Sequence, residues 1–159
     1  MSLRYLSVCS GIEAATVAWG PLGFTAAAFS EVESFPCAVL AHHYPDVPNL
    51  GDMTRIDSTA YRGLVDILVG GTPCQAFSVA GLRKGLEDAR GNLTLTFLEL
   101  ANAIDPAFVV WENVPGVLSD KTNAFGCLLG WLVGADNALE DVGGWPNCGV
   151  VRGPRRTAA

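Results

Sequence analysis

Apolar residues come along this chain in short blocks separated by polar punctuation, and the blocks alternate between strand-like and helix-like spacing. Residues 5–9 form a short buried-strand run, followed by a small-residue turn at Ser10-Gly11. Residues 13–19 carry helical spacing and are ended by Gly20-Pro21. Residues 25–31 give a second strand that finishes in acid at Glu31, and 34–43 a second helix stopped by Tyr44-Pro45. Turn chemistry occupies 49–57, and 65–69 is the clearest buried strand, with Gly70-Gly71 after it. A long polar loop covers 72–90; loops of that length inside a compact domain are uncommon and usually functional. Helical spacing returns over 92–104 through Leu93, Phe97, Leu100 and Ile104, until Asp105-Pro106. Residues 107–111 make another strand, again ending in acid at Glu112, and 125–133 reads as helical. From Gly134 the pattern weakens into Gly, Asp, Asn and Pro.

Repeated strand–helix alternation predicts an α/β fold, a mostly parallel sheet with helices on both faces. Residues 1–135 are expected to form the folded unit and 136–159 a weakly structured tail. Ligands of such sheets bind at the carboxyl ends of the strands. The unusual polar residues fall there: Ser10 and Gly11, Glu31, Cys74 and Glu112.

Composition narrows the picture. Half of the 159 residues are hydrophobic and 16% are charged, enough apolar surface for a core and too little charge for disorder. The net charge of −6 has the wrong sign for a chain that grips DNA unaided, since neutralising phosphates needs clustered Lys and Arg. The dense basic run, Arg152, Arg155 and Arg156, lies at the far carboxyl end. Five cysteines at 9, 37, 74, 127 and 148 form no CxxC pair and suggest neither a disulfide framework nor a metal site. The longest uncharged run, 14–30, is broken by Gly20-Pro21-Leu22-Gly23, which argues against a membrane span. A reducing, cytoplasmic setting is expected.

The sharpest segment is Gly70-Gly71-Thr72-Pro73-Cys74-Gln75. A cysteine directly after proline and a strand end is held in place; taken alone, a buried structural thiol is as good a reading as a nucleophile. Pro73-Cys74-Gln75-Ala76-Phe77-Ser78, continued by Gly81, Gly85, Asp88, Arg90-Gly91 and Leu93, resembles the catalytic loop of the cytosine-C5 DNA methyltransferases. Glu112-Asn113-Val114, about forty residues downstream, resembles the same family's ENV motif. Either piece alone occurs by chance; both in order and at this spacing are specific.

The resemblance implies a Rossmann-like, S-adenosylmethionine-dependent sheet, incomplete at the carboxyl end, and a defined chemistry. Cytosine C5 is a poor nucleophile. A thiolate, here Cys74, adds to C6 and makes C5 enamine-like; C5 takes the methyl group, then loses its proton as the thiol leaves. A thiol of pKa ~8.5 is only about 3% ionised at pH 7, so its environment must favour the thiolate. Glu112 would hold the N3/N4 edge and protonate N3, which a free carboxyl of pKa ~4.3 does poorly unless burial raises it. The base must be flipped out of the duplex. The resemblance places Pro73, Gln75, Ser78, Arg90 and Asn113 on the substrate side.

On the cofactor side, Ser7-Val8-Cys9-Ser10-Gly11-Ile12-Glu13 stands where the family has a DLFxGxGG-like motif. Ser7 replaces the usual Asp, Cys9 the Phe that packs on adenine, and Glu13 a Gly. Ser10 and Gly11 would line the cofactor loop, Glu31 would take the ribose hydroxyls, Val32 would flank adenine, and Asp52-Met53 would meet its edge. The QxRxR-type motif, the target-recognition region and the closing helix of the family do not follow Glu112-Asn113. DNA binding is therefore expected to be weak or absent without a carboxyl half, supplied by a second polypeptide if by nothing else. The competing reading is an inactive fragment that only binds cofactor or a partner. A dinucleotide-dependent oxidoreductase ranks last, because there is no GxGxxG and Pro73-Cys74 would go unexplained.

Overall fold

A computed structural model describes residues 2–73, 93–141 and 145. Four parallel strands lie in the order β2-β1-β3-β4: β1 (Arg4–Val8), β2 (Thr25–Ser30), β3 (Ile67–Gly70) and β4 (Phe108–Trp111). The helices are α1 (Ala14–Trp19), α2 (Ser34–His43), α3 (Leu93–Ile104) and α4 (Ala124–Val133). Strand and helix positions follow the hydrophobic pattern to within one or two residues. The largest shift is at β3, which starts at Ile67 because Asp66 is used before it: its carboxylate accepts from Arg4 N at 2.8 Å and its N–H donates to Arg4 O. Residues 49–57 hold one short 3₁₀ turn, Met53–Arg55, and a second, Ser58–Ala60, follows them; Asp52 and Asp57 cap the two. They also contain a piece of strand pairing that the turn signals hid, a parallel bridge between Phe29 and Asn49.

Alternation along β1 sends side chains to both faces, and each face is covered. Leu6, Val8, Ala28 and Leu68 pack with Phe97, Leu100, Ala101 and Ile104 of α3. Tyr5, Phe29 and Ile67 pack on the other side with Leu40 of α2 and with Ala15 and Trp19 of α1. That second layer stops short of β4, where Phe108 and Val110 stay 58% and 39% exposed. Beyond α3, Leu98, Val117, Ala124, Cys127 and Leu128 make a smaller core against α4. The 137–139 segment runs along α4, with Leu139 N donating to Gly126 O at 2.9 Å, and Trp145 is buried against Phe125. Among the described residues no helix is long and apolar enough to cross a membrane.

Candidate functional site

Because all four strands are parallel, the segments after Val8, Ser30, Gly70 and Trp111 emerge on one edge of the sheet. A cavity of about 240 Å³, open on one side, lies there. It brings together Glu31, Val32, Asp52 and Met53 with Cys9 and, from the far wall, Gly71 and Pro73. Four of the six cofactor candidates thus share one hollow with the root of the cysteine loop. Ser10 and Gly11 do not line it; they brace it from behind. Ser10 Oγ donates to Ser7 O at 3.0 Å and accepts from Ser30 N at 3.1 Å, tying the end of β1 to the end of β2. Gly11, at φ +56, donates its N–H to Glu31 Oε2 at 2.8 Å.

Glu31 is 9% exposed, and its carboxylate is already occupied. Oε1 accepts from Val32 N at 2.7 Å and Glu33 N at 2.8 Å, and Oε2 from Gly11 N. A carboxylate has about four acceptor positions, so roughly one remains for a ribose hydroxyl. Asn49, which sequence reasoning passed over as a turn residue, fixes this carboxylate's backbone. Its Oδ1 accepts from Glu31 N at 3.0 Å and Gly51 N at 3.2 Å, and its Nδ2 donates to Glu31 O at 3.1 Å. Asp52 accepts from Thr54 N and Oγ1 at 2.9 and 2.8 Å; these bonds, with Arg55 nearby, hold its carboxyl below the usual range. The set offers carboxylate acceptors over an apolar floor of Met53, Val32 and Leu93, which fits an adenosyl group: hydroxyl and amine donors on a flat apolar body.

Of the three departures from the family motif, Ser7 and Glu13 meet each other and Cys9 turns toward Met53. Cys9 has left β1 at φ 49, and its thiol donates to Met53 Sδ at 3.5 Å; burial, then the Glu31 charge, pushes it up to about 11. Glu13 caps α1 from a left-handed backbone (φ 71), and Oε1 accepts from Thr16 N at 3.2 Å. It is only 1% exposed, and Oε2 is buried without a hydrogen-bond partner although the Ser7 hydroxyl is close. Burial therefore raises the Glu13 carboxyl above its ordinary range. The carboxyl sits beside the positive end of the helix dipole, in a drier place than a helix start usually offers.

On the opposite side, Glu112 follows β4, with its N–H donating to Gly70 O at 3.0 Å. Its carboxylate lies over Gly71: a Cβ built on that glycine would stand 2.9 Å from Oε2. Glu112 is exposed, so the desolvation its expected role calls for must come from whatever binds beside it. Asn113, expected on the substrate side, spends its side chain on the protein: Nδ2 donates to Thr72 O at 2.9 Å and Oδ1 accepts from Val114 N at 2.9 Å. Pro73 lines the cavity. Cys74, Gln75, Ser78 and Arg90 lie outside the described residues. Among the described residues no group of His, Cys, Asp and Glu is placed to hold a metal, and Cys9, Cys37 and Cys127 are free thiols.

Comparison with known proteins bears on the family and the fold. The chain is 50% identical to a "DNA N-6-adenine-methyltransferase" of Escherichia phage P1, over 99% of its own length and 25% of the relative's. It is 41% identical to the orphan methyltransferase M.SPRI of Bacillus phage SPR, over 76% of its length and 28% of the relative's. The chain thus spans about a quarter of the length of these relatives. A crystal structure of a DNA modification methyltransferase encoded within an E. coli prophage superposes with a TM-score of 0.66 at 23% identity, covering 84% of this chain and 38% of that one, a likeness of fold. The family model for the C-5 cytosine-specific DNA methylases matches residues 3–132, from the first residues of β1 to the end of α4. Methyltransferases of this kind use S-adenosylmethionine. With a family model matched over most of its length, the chain belongs to the C-5 cytosine-specific DNA methylase family.

Proposed function

We propose that this chain is the cofactor-binding and catalytic part of an enzyme that methylates C5 of a flipped-out cytosine in DNA, with Cys74 as nucleophile. One observation carries the reading. The cavity that holds Glu31, Asp52 and Met53 is walled by Gly71 and Pro73, and the Glu112 carboxylate lies over Gly71. A cofactor in that cavity would present its reactive end toward the segment that leads into Cys74.

In this reading the Cys74 thiolate forms a bond to C6 of the base while Glu112 delivers a proton to N3, so no charge accumulates on the ring. S-adenosylmethionine, when bound, supplies the methyl group to C5. Loss of the C5 proton to solvent, expulsion of the thiolate and return of the N3 proton to Glu112 restore the aromatic ring and the enzyme. Glu31 holds a ribose hydroxyl on its remaining acceptor position, Asp52 accepts from the adenine amine, and Met53 and Val32 cover its faces. Ser10 and Gly11 act through Glu31 by fixing its position. Gln75, Ser78 and Arg90 contact the extruded nucleotide, whereas Asn113 supports the loop from beneath. The nucleophile must remain a thiol, which suits a cytoplasmic setting.

The chain spans about a quarter of these relatives, and DNA recognition is assigned to residues other than these 159, on the same polypeptide or a second one. The 159-residue chain alone is expected to methylate DNA little, in keeping with its charge of −6. The activity named for the phage P1 relative favours a second reading, methylation of adenine N6. Only a quarter of that relative is matched, however, and transfer to an amine gives no role to a cysteine placed after Pro73. The test is a chimera in which this chain replaces the matching quarter of the P1 relative, given S-adenosylmethionine labelled in the methyl group. Digestion of the DNA to nucleosides is expected to place label in 5-methylcytosine. Label in N6-methyladenine would overturn the proposal, and cofactor binding without transfer would support the reading as a binding domain alone.

A further inference from the structure

The residue before Pro73 is held by a polar knot buried between three elements. Thr72 is 3% exposed and Thr94, in the first turn of α3, 1%. Their hydroxyls are 2.8 Å apart, and the Trp111 indole N–H at the end of β4 donates to Thr72 Oγ1 at 2.9 Å. Asn113 Nδ2 donates to Thr72 O at 2.9 Å. Glu112 stands between Trp111 and Asn113, and its own N–H bonds Gly70 O at 3.0 Å. Three bonds therefore stitch the 111–113 segment to the 70–72 segment, two of them through one threonine.

Stability does not ask for this. Buried hydroxyls and an indole N–H are costly to desolvate, and apolar side chains of the same volume would fill the space as well. What hydrogen bonds add over apolar packing is a fixed distance and direction. We infer that Thr72 is a positioning residue: through Trp111, Thr94 and Asn113 it sets the Glu112 carboxylate against the segment that leads into Cys74. The inference rests on the catalytic reading above and adds Thr72, Thr94 and Trp111, which no family motif named in the sequence contains.

The test reads the interaction between the two reacting groups rather than stability. The rate of Cys74 alkylation by iodoacetamide is followed against pH in the 159-residue chain, with peptide mass spectrometry separating Cys74 from the other thiols. Removing a nearby carboxylate charge makes a thiol easier to ionise, so Glu112→Gln is expected to lower the midpoint by about half a pH unit. The same shift is expected in Thr72→Ser, which keeps the hydroxyl. In Thr72→Val it should fall to less than half, because the two segments are no longer held in register. A full shift in Thr72→Val would overturn the positioning role and leave the pairing of Glu112 with Cys74 intact. No shift in the unmodified background would overturn that pairing, and the catalytic reading with it. If Thr72→Val does not melt cooperatively, Thr94→Val, which breaks one arm of the knot, takes its place with a reduced shift expected and a full one contradicting.

Discussion

Two adjacent glycines should respond to the same substitution in different ways. At Gly70, in β3, an added Cβ would stand 2.7 Å from Val8 Cγ2, 3.0 Å from Phe97 Cε2 and 3.0 Å from Val8 O. Two of these are core side chains on different elements and one is backbone, so none can yield without moving the sheet or α3. Overpacking of this kind costs about 1–3 kcal/mol, offset by the ~0.4–1 kcal/mol that alanine contributes by restricting the unfolded chain. A net loss of about 1–2 kcal/mol corresponds to a melting temperature lower by roughly 2–8 °C for a chain of this size. At Gly71 the nearest atom is Glu112 Oε2 at 2.9 Å, the free end of an exposed side chain, and the next is Glu112 O at 3.9 Å. Only the carboxylate has to swing away. Gly71→Ala should therefore melt within about 0.5 kcal/mol of the parent. Its cost should fall on chemistry: in the P1 chimera, methyl transfer should drop at least tenfold. Thermal unfolding at neutral pH and a single-turnover transfer assay measure the two effects. Equal loss of stability in both variants would refute the reasoning, as would unimpaired transfer by Gly71→Ala.

Three further outcomes follow from the cofactor side. Glu13→Gln keeps the cap on Thr16 N and removes a charge that burial disfavours. Since the folded carboxyl titrates above its unfolded value, its favourable contribution exists at acid pH and is lost as pH rises through the folded pKa; the variant should gain in melting temperature at pH 8 and little or nothing at pH 4, and an equal change at both would contradict this. With its thiol pushed up to about 11, Cys9 should resist iodoacetamide at pH 8 under conditions that fully label glutathione, and rapid labelling of Cys9 on peptide mapping would contradict the burial argument. Asn49→Ala removes three bonds to the Glu31 and Gly51 backbone and should cost about 2 kcal/mol of stability. Calorimetry on that variant should find S-adenosylmethionine binding weakened at least tenfold; unchanged affinity would detach Asn49 from the site.

The strands were legible because each is a short apolar run closed by a strand-end acid, glycine or small polar residue, and both faces of β1 and β3 are covered. The clustering of Glu31, Asp52, Met53 and Pro73 around one cavity followed from that topology, since parallel strands deliver their ends to one edge. What was hidden lies in side chains whose partners are distant in sequence. Thr72 meets Thr94 and Trp111 across 22 and 39 positions, and a single sequence contains no signal for such pairs beyond two threonines inside otherwise apolar surroundings. Asn49 looked like a turn residue because its local context is Pro48 and Gly51, yet its amide works on Glu31, 18 residues earlier. Glu31 was legible as an acid at a strand end, but its engagement with three backbone N–H groups was not. Asn113 was read for its motif, and its side chain turns inward to the loop root.

The most direct measurement is covalent capture of the base. The P1 chimera is incubated with S-adenosylmethionine and a duplex carrying 5-fluorocytosine, whose fluorine blocks the final loss from C5, and the adduct is mapped by protease digestion. The nucleotide is predicted on the peptide that contains Cys74, with Cys74→Ser abolishing it and Glu112→Gln slowing its formation. An adduct that persists in Cys74→Ser, or an active chimera that forms none, would contradict the account.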